Sequence, residues 1–204
     1  MAESAEEVYA RVVGAVGPGG RLPMPAYGEW DVFPWEAVDG RVVPRVLQPP
    51  SDEPVRYGEG DRPCDACDGI PDDRVVWEDE HWVLTHRGQA SGLPLVLMLW
   101  TREHLDFGDF DDDLAAEYGR IANRLVRIVE HLPHVGRVHV QRIGDGGSHA
   151  HIWFVARTHR LTNVLGSPAV EWDEILPPGP EDVWRDDLRT VATKLANWGG
   201  TARA

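Results

Sequence analysis

The sequence predicts an α+β fold in which an antiparallel sheet packs against one long helix, with a second helix closing the chain. Three observations carry that reading. Five short runs, 74–78, 82–86, 95–100, 137–143 and 149–156, have the length and apolar content of strands. One stretch after Asp111-Asp112-Asp113 keeps a helical apolar stripe for about five turns. The connections between these runs are tight, as antiparallel neighbours require.

Taken in order, residues 1–16 read as a short amphipathic helix with Val8, Val12, Val13 and Val16 on or near one face, stopped by Gly17-Pro18-Gly19-Gly20. Residues 21–63 are rich in proline, glycine and acidic residues, and they carry Trp30, Phe33 and Trp35. So many aromatics argue for a segment laid across the domain, at a pocket edge, with Arg41 to Leu47 adding a strand. Arg74 to Glu78 and Trp82 to His86 flank the polar turn Glu78-Asp79-Glu80, and Leu95 to Trp100 is apolar enough to be buried on both faces. The three aspartates place carboxylates where a helix dipole favours them. Leu114, Tyr118, Ile121, Leu125, Ile128, Val129 and Leu132 then form the stripe. Arg137 to Ile143 and His149 to Ala156 are joined by Gly144-Asp145-Gly146-Gly147-Ser148, and residues 180–197 read as the closing helix.

The chain has 204 residues, 42% apolar and 26% charged, the balance of one folded domain with a sizeable core. Nine tryptophans point to at least one aromatic-walled cleft. A net charge of −14 argues against a nucleic-acid polymer as partner, since its phosphates would be repelled. A small phosphorylated ligand stays open, because a local cationic or metal-bearing pocket can oppose the global field. The acidic start lacks the cationic region of a signal peptide, and the longest apolar run, Leu93 to Trp100, is far too short to span a membrane. A soluble, cytoplasmic protein without a membrane partner is the expectation.

The chemistry concentrates in two places. Strand alternation puts His149, His151 and Trp153 on one face and Ala150, Ile152 and Phe154 on the other. Adjacent histidines are poor packing residues, because each ring nitrogen needs a partner when buried. Cys64-Asp65-Ala66-Cys67 is the second element. In a reducing compartment this spacing suggests a metal or redox role, or simply two thiols in a turn. Zinc takes about four nitrogen or sulfur ligands, so two cysteines need histidines from elsewhere; His104 ends the run after a buried strand, and His149 begins the pair. Among the remaining histidines, His81, His86, His131, His134, His139 and His159 fit no constellation and read as surface or structural. The carboxylates from Asp109 to Asp113 read as a solvated helix start.

A Cys-x-x-Cys, a strand ending in a polar turn with histidine, a long helix, a strand, a glycine turn and His-x-His together resemble the histidine-triad (HIT) superfamily in order and spacing. His149 to Arg157 follows the family's terminal strand without a gap, with Ala156 at its proline position. The resemblance covers about residues 61–160, leaving 1–60 as an N-terminal extension and 161–204 as a C-terminal extension whose helix packs on the same domain. It implies a HIT-like sheet with one structural Zn2+ held by Cys64, Cys67, His104 and His149, as in zinc-bearing relatives and the galactose-1-phosphate uridylyltransferases. It further implies that His151 attacks the α-phosphorus of a nucleoside phosphate derivative, giving a covalent nucleotidyl-histidine that water or a second phosphate resolves. A nucleotide or related small phosphate ester is the implied ligand and a homodimer the inherited assembly. Gly147 and Ser148 in the glycine turn, Arg142 where many relatives have asparagine, and Trp153 are the candidate substrate contacts, with Gln141 a further one. Trp153 departs from the family, whose third position is histidine or, in the uridylyltransferase branch, glutamine. An indole N–H cannot act as a general acid near neutral pH, so a zinc-containing nucleotide-binding or regulatory module without turnover is the alternative.

Overall fold

The computed structural model describes residues 2–23, 33–166 and 168–204. Helix α1 (Ala5–Ala15) opens on a capping box, in which the Glu7 N–H donates to the Ser4 hydroxyl and the Ser4 N–H to the Glu7 carboxylate. Val8 is its buried residue and Val12 packs on the body, while Val13 is 46% exposed. The apolar stripe is therefore narrower than the valine spacing suggests. Strands β1 (Trp35–Val38) and β2 (Arg41–Pro44) form a separate hairpin. Its turn, Asp39-Gly40, has both residues at positive φ, the geometry that matches strand twist in a two-residue loop. The strand expected over 41–47 thus ends at Pro44, and its partner, Trp35–Val38, was not predicted. Trp35 stacks on Phe33 and stays half exposed; Trp30 lies outside the described residues.

A single turn, α2 (Asp65–Asp68), carries Cys67, and Cys64 is the residue just before it. The body then runs β3 (Val75–Glu78), β4 (Trp82–His86), β5 (Val96–Thr101), α3 (Asp112–Glu130), β6 (Val135–Gln141), β7 (His151–Thr158), α4 (Ala169–Ile175), α5 (Glu181–Ala196) and β8 (Thr201–Ala202). Six of these strands form one antiparallel sheet in the order β6-β7-β5-β4-β3-β8. The α+β architecture with an antiparallel sheet under a long helix is as expected. Boundaries differ: β6 and β7 each begin and end two residues from the predicted spans, and α4 and β8 were not foreseen.

Helix α3 starts where Asp111 accepts the Leu114 N–H at 2.8 Å. Its stripe packs with α5 against one face of the sheet, in a core holding Trp82, Leu84, Leu97, Leu99, Ile152 and Phe154. Alternation sends Val96, Trp153 and Val155 to the other face, where Leu93, Val164, Ala169, Leu176 and Val12 cover them. After α5 the chain returns as β8 beside β3. Gly200 makes that turn possible: its φ is +75°, and a Cβ there would lie 2.5 Å from the Glu78 carbonyl oxygen.

His86 shows how a buried histidine is satisfied in this fold. Its Nδ1 accepts the Gly88 N–H at 2.8 Å and its Nε2–H donates to the Asp73 carbonyl at 3.0 Å, so the ring is a neutral tautomer. Burial pushes its pKa below the ordinary value, outweighing the pull of the Asp73 carbonyl. The unfolded chain therefore binds the proton more readily, and the contribution of His86 is complete above its unfolded pKa and lost as pH falls through the depressed folded one. Denaturant titrations at falling pH should show stability declining below about 6.5, and His86→Gln should flatten that decline. An identical pH slope in the variant would show that another group causes it.

Candidate functional site

Four donors converge beside the start of β7. Cys64, Cys67, His104 and His149 place their ligand atoms within 4.8 Å of one another. Cys64 Sγ lies 3.4 Å and Cys67 Sγ 3.5 Å from His149 Nδ1, and Cys67 Sγ lies 3.2 Å from His104 Nδ1. A zinc tetrahedron with bonds of ~2.3 Å to sulfur and ~2.1 Å to nitrogen has sulfur–nitrogen edges of about 3.5 Å, which these three distances match, so the donor set is compatible with that ion.

The tautomers agree. His149 Nε2–H donates to the Thr101 carbonyl at 2.8 Å, leaving Nδ1 as the ligand nitrogen. His104 Nε2 lies 3.3 Å from Ser148 Oγ, which itself donates to the Tyr57 carbonyl at 3.1 Å. The hydroxyl therefore accepts from His104, and Nδ1 again faces the cysteines. Burial, helped by the two neighbouring histidines, holds the His149 pKa below its ordinary value, keeping the imidazole neutral as a ligand must be. Loss of solvent around its sulfur and the contact with Cys64 push the Cys67 thiol up, so metal capture here would release protons.

His151 is two residues further on and is not among the four clustered donors. Its Nδ1–H donates to the His149 carbonyl at 2.8 Å, which leaves the Nε2 lone pair available. Trp100, its partner across β5 and β7, stacks on the ring at 5.0 Å and is itself fixed by an indole bond to Thr85 Oγ1 at 3.0 Å. One bond thus connects the four-donor cluster to this imidazole: the backbone oxygen that orients His151 belongs to His149, one of the four. His149 lies just before the strand rather than within it.

Three of the other candidate contacts, Ser148, Arg142 and Gln141, have partners within the fold. Ser148 is buried, and both its N–H and its hydroxyl donate to the Tyr57 carbonyl. Arg142 pairs with Asp106 at 2.8 Å and lies over Phe107, opposite in strand phase to Gln141, whose amide donates to the Gly166 carbonyl. Gly147 does run beside the imidazole, since a Cβ on it would sit 3.6 Å from His151 Cε1. Trp153 packs into the second apolar cluster, with a buried indole N–H that has no acceptor among the described residues.

The end of the segment expected to lie across the domain at a pocket edge holds the site together, through contacts that carry no signal in the sequence. Residues 56–60 cross over it as a strap. The Tyr57 N–H donates to the Gly146 carbonyl and the Ser148 N–H returns to Tyr57. Arg56 pairs with Glu59 at 2.6 Å and with Asp106 at 2.7 Å, and reaches the Gly144 carbonyl. Partial burial works to raise the Asp106 pKa, but bonds from Arg56 and Arg142 outweigh it and hold the carboxyl below its ordinary range. The acidic run 109–113 behaves as a helix start, and no described helix is long and apolar enough to cross a membrane.

No family model matches the chain, and no curated protein matches it either. Among solved structures it is similar to a histidine triad protein from Bradyrhizobium japonicum, at 11% identity over 59% of this chain and 89% of that one, with a TM-score of 0.47. A zinc-bound histidine triad family protein from Mycobacterium smegmatis is similar at 17% identity over 63% and 87%, with a TM-score of 0.44. A Hit-like protein involved in cell-cycle regulation from Bartonella henselae is similar at 11% identity over 61% and 88%, with a TM-score of 0.45.

Proposed function

We propose that the chain is a HIT-like protein that binds a nucleotide or related small phosphate ester beside His151 and transfers its nucleotidyl group through that imidazole. The observation that carries this reading is the His151 Nδ1–H bond to the carbonyl of His149, a residue whose own Nδ1 completes a four-donor cluster fitted to zinc. Zinc bound there would act structurally, holding the loop and strand that aim His151. The Nε2 lone pair forms a bond to phosphorus, and the bond from phosphorus to the leaving group breaks with its electron pair on the departing atom. Water then attacks the same phosphorus, the P–N bond returns its pair to Nε2, and the water's proton passes to solvent.

Trp153 narrows the substrates. With no general acid at that position, the departing group has to be stable as an anion. Phosphate and similar low-pKa groups qualify, whereas an amine or a simple alcohol would leave unprotonated and slowly. A nucleoside diphosphate is therefore expected to turn over faster than the matching nucleoside phosphoramidate. The decisive test is an acid-labile adduct on His151, trapped with radiolabelled nucleotide and lost in His151→Asn together with turnover, a fall of about 10⁴-fold or more. An adduct that forms equally well in the variant would refute the role. The second reading, a binding module without turnover, is favoured by the same Trp153; it expects nucleotide binding that survives His151→Asn and no product from either protein.

A further inference from the structure

Away from His151, an open cleft of about 200 Å³ lies between the C-terminal ends of α3 and α5, lined by Arg124, Arg127, Ile128, His131, Lys194 and Trp198. Helical spacing builds it. Arg120, Arg124, Arg127 and His131 repeat at the spacing of one helix face, and Lys194, the only lysine of the chain, comes from the last turn of α5. No carboxylate lines the cleft, in a chain of net charge −14. Among the described residues Arg124, Arg127 and Lys194 form no ion pair; of the acids at helix spacing, Glu117 is taken by His81 at 2.8 Å and Glu130 accepts the Val138 N–H at 3.2 Å.

Cations at helix C-termini have an ordinary use, since each end carries about half a negative charge. Two ends offset roughly one of the three permanent positive charges here, so a net positive cleft remains. Like charges four residues apart also work against the helix that bears them. Arg124 is held by its stack on Trp198, 4.6 Å from the ring centroid, while that indole stays 62% exposed. The guanidinium edge therefore remains free to donate.

We propose that this cleft is a binding site for a multiply charged phosphate oxyanion of pyrophosphate size. Two guanidinium forks and an ammonium converging on one cavity suit several phosphoryl oxygens at once. The volume admits two phosphoryl groups. The site is independent of the His151 chemistry.

Calorimetric titration of the full chain with sodium pyrophosphate at low salt tests it, with Arg127→Gln and Lys194→Gln as surface variants and Arg185→Gln as a distant control. One saturable site is expected, weakened about tenfold or more in each cleft variant and unchanged in Arg185→Gln and His151→Asn. A heat that persists at full strength in both cleft variants, whether from the His151 site or from metal withdrawn from Cys64 and Cys67, overturns the proposal. So does the absence of saturable binding. An oligoglutamate peptide that binds more tightly than pyrophosphate and displaces it would reassign the cleft to acidic polypeptides.

Discussion

Replacing Cys64 with serine is expected to abolish stoichiometric zinc and lower the unfolding midpoint by roughly 10 °C. The magnitude follows from what the cluster joins. Its four donors come from α2, from the loop after β5 and from the entry to β7, segments that share no apolar core. Zinc in small metal-dependent peptides contributes on the order of 10–16 kcal/mol, but this chain has a large core independent of the site. The loss should therefore be a fraction of that, about 4 kcal/mol, against a domain stability of about 5–15 kcal/mol. Far-UV circular dichroism at 25 °C should change little, while chelator added to the wild-type chain should reproduce the shift. A wild-type midpoint indifferent to chelator, with no zinc in the protein as purified, would remove the metal from this account and with it the reason His149 is placed as it is.

The parts of this architecture that were legible in the sequence are those with a periodic signal. Leu114 to Leu132 announces α3 because seven apolar side chains recur on one face, and the alternation of His151, Ile152, Trp153 and Phe154 was visible for the same reason. The four candidate ligands could be named because the Cys-x-x-Cys and His-x-His spacings carry a family resemblance that picks His104 and His149 out of nine histidines. What stayed hidden has no local signature. β8 is two residues long and exists only because Gly200 lets the chain close onto Glu78. The Asp39-Gly40 turn was readable, and the hairpin could have been predicted from it. Arg142 reads locally as a free cation, yet Asp106, distant in sequence, holds it. The strap from Arg56 to Gly60 has the composition of a loop, and its meaning lies in hydrogen bonds to Gly144, Gly146 and Ser148.

That strap yields the second large effect. Gly58→Ala should weaken zinc affinity by about 10- to 100-fold, the range seen when the groups orienting metal ligands are disturbed, and should cost about 2–4 kcal/mol of stability. Two terms combine. Gly58 has φ at +86°, where an alanine costs about 1–2 kcal/mol in the backbone alone. Its Cβ would also lie 2.6 Å from His104 Cε1 and 2.8 Å from Ser148 Oγ. Neither neighbour can yield freely: His104 is tied through Nδ1 to the cluster and through Nε2 to Ser148, and Ser148 is tied to Tyr57. Moving the imidazole aside breaks ligand geometry; moving the strap breaks its bonds to the glycine turn beside His151. Gly60→Ala separates the two terms, because Gly60 also has positive φ, +56°, but its Cβ would meet nothing within 4 Å. That variant should lose only the backbone contribution and keep its zinc. Competition with a colorimetric chelator, run beside thermal unfolding of both variants, reads the difference directly. Equal zinc affinity in the two would mean that the strap does not press on His104, and that the ligand loop is held by the metal alone.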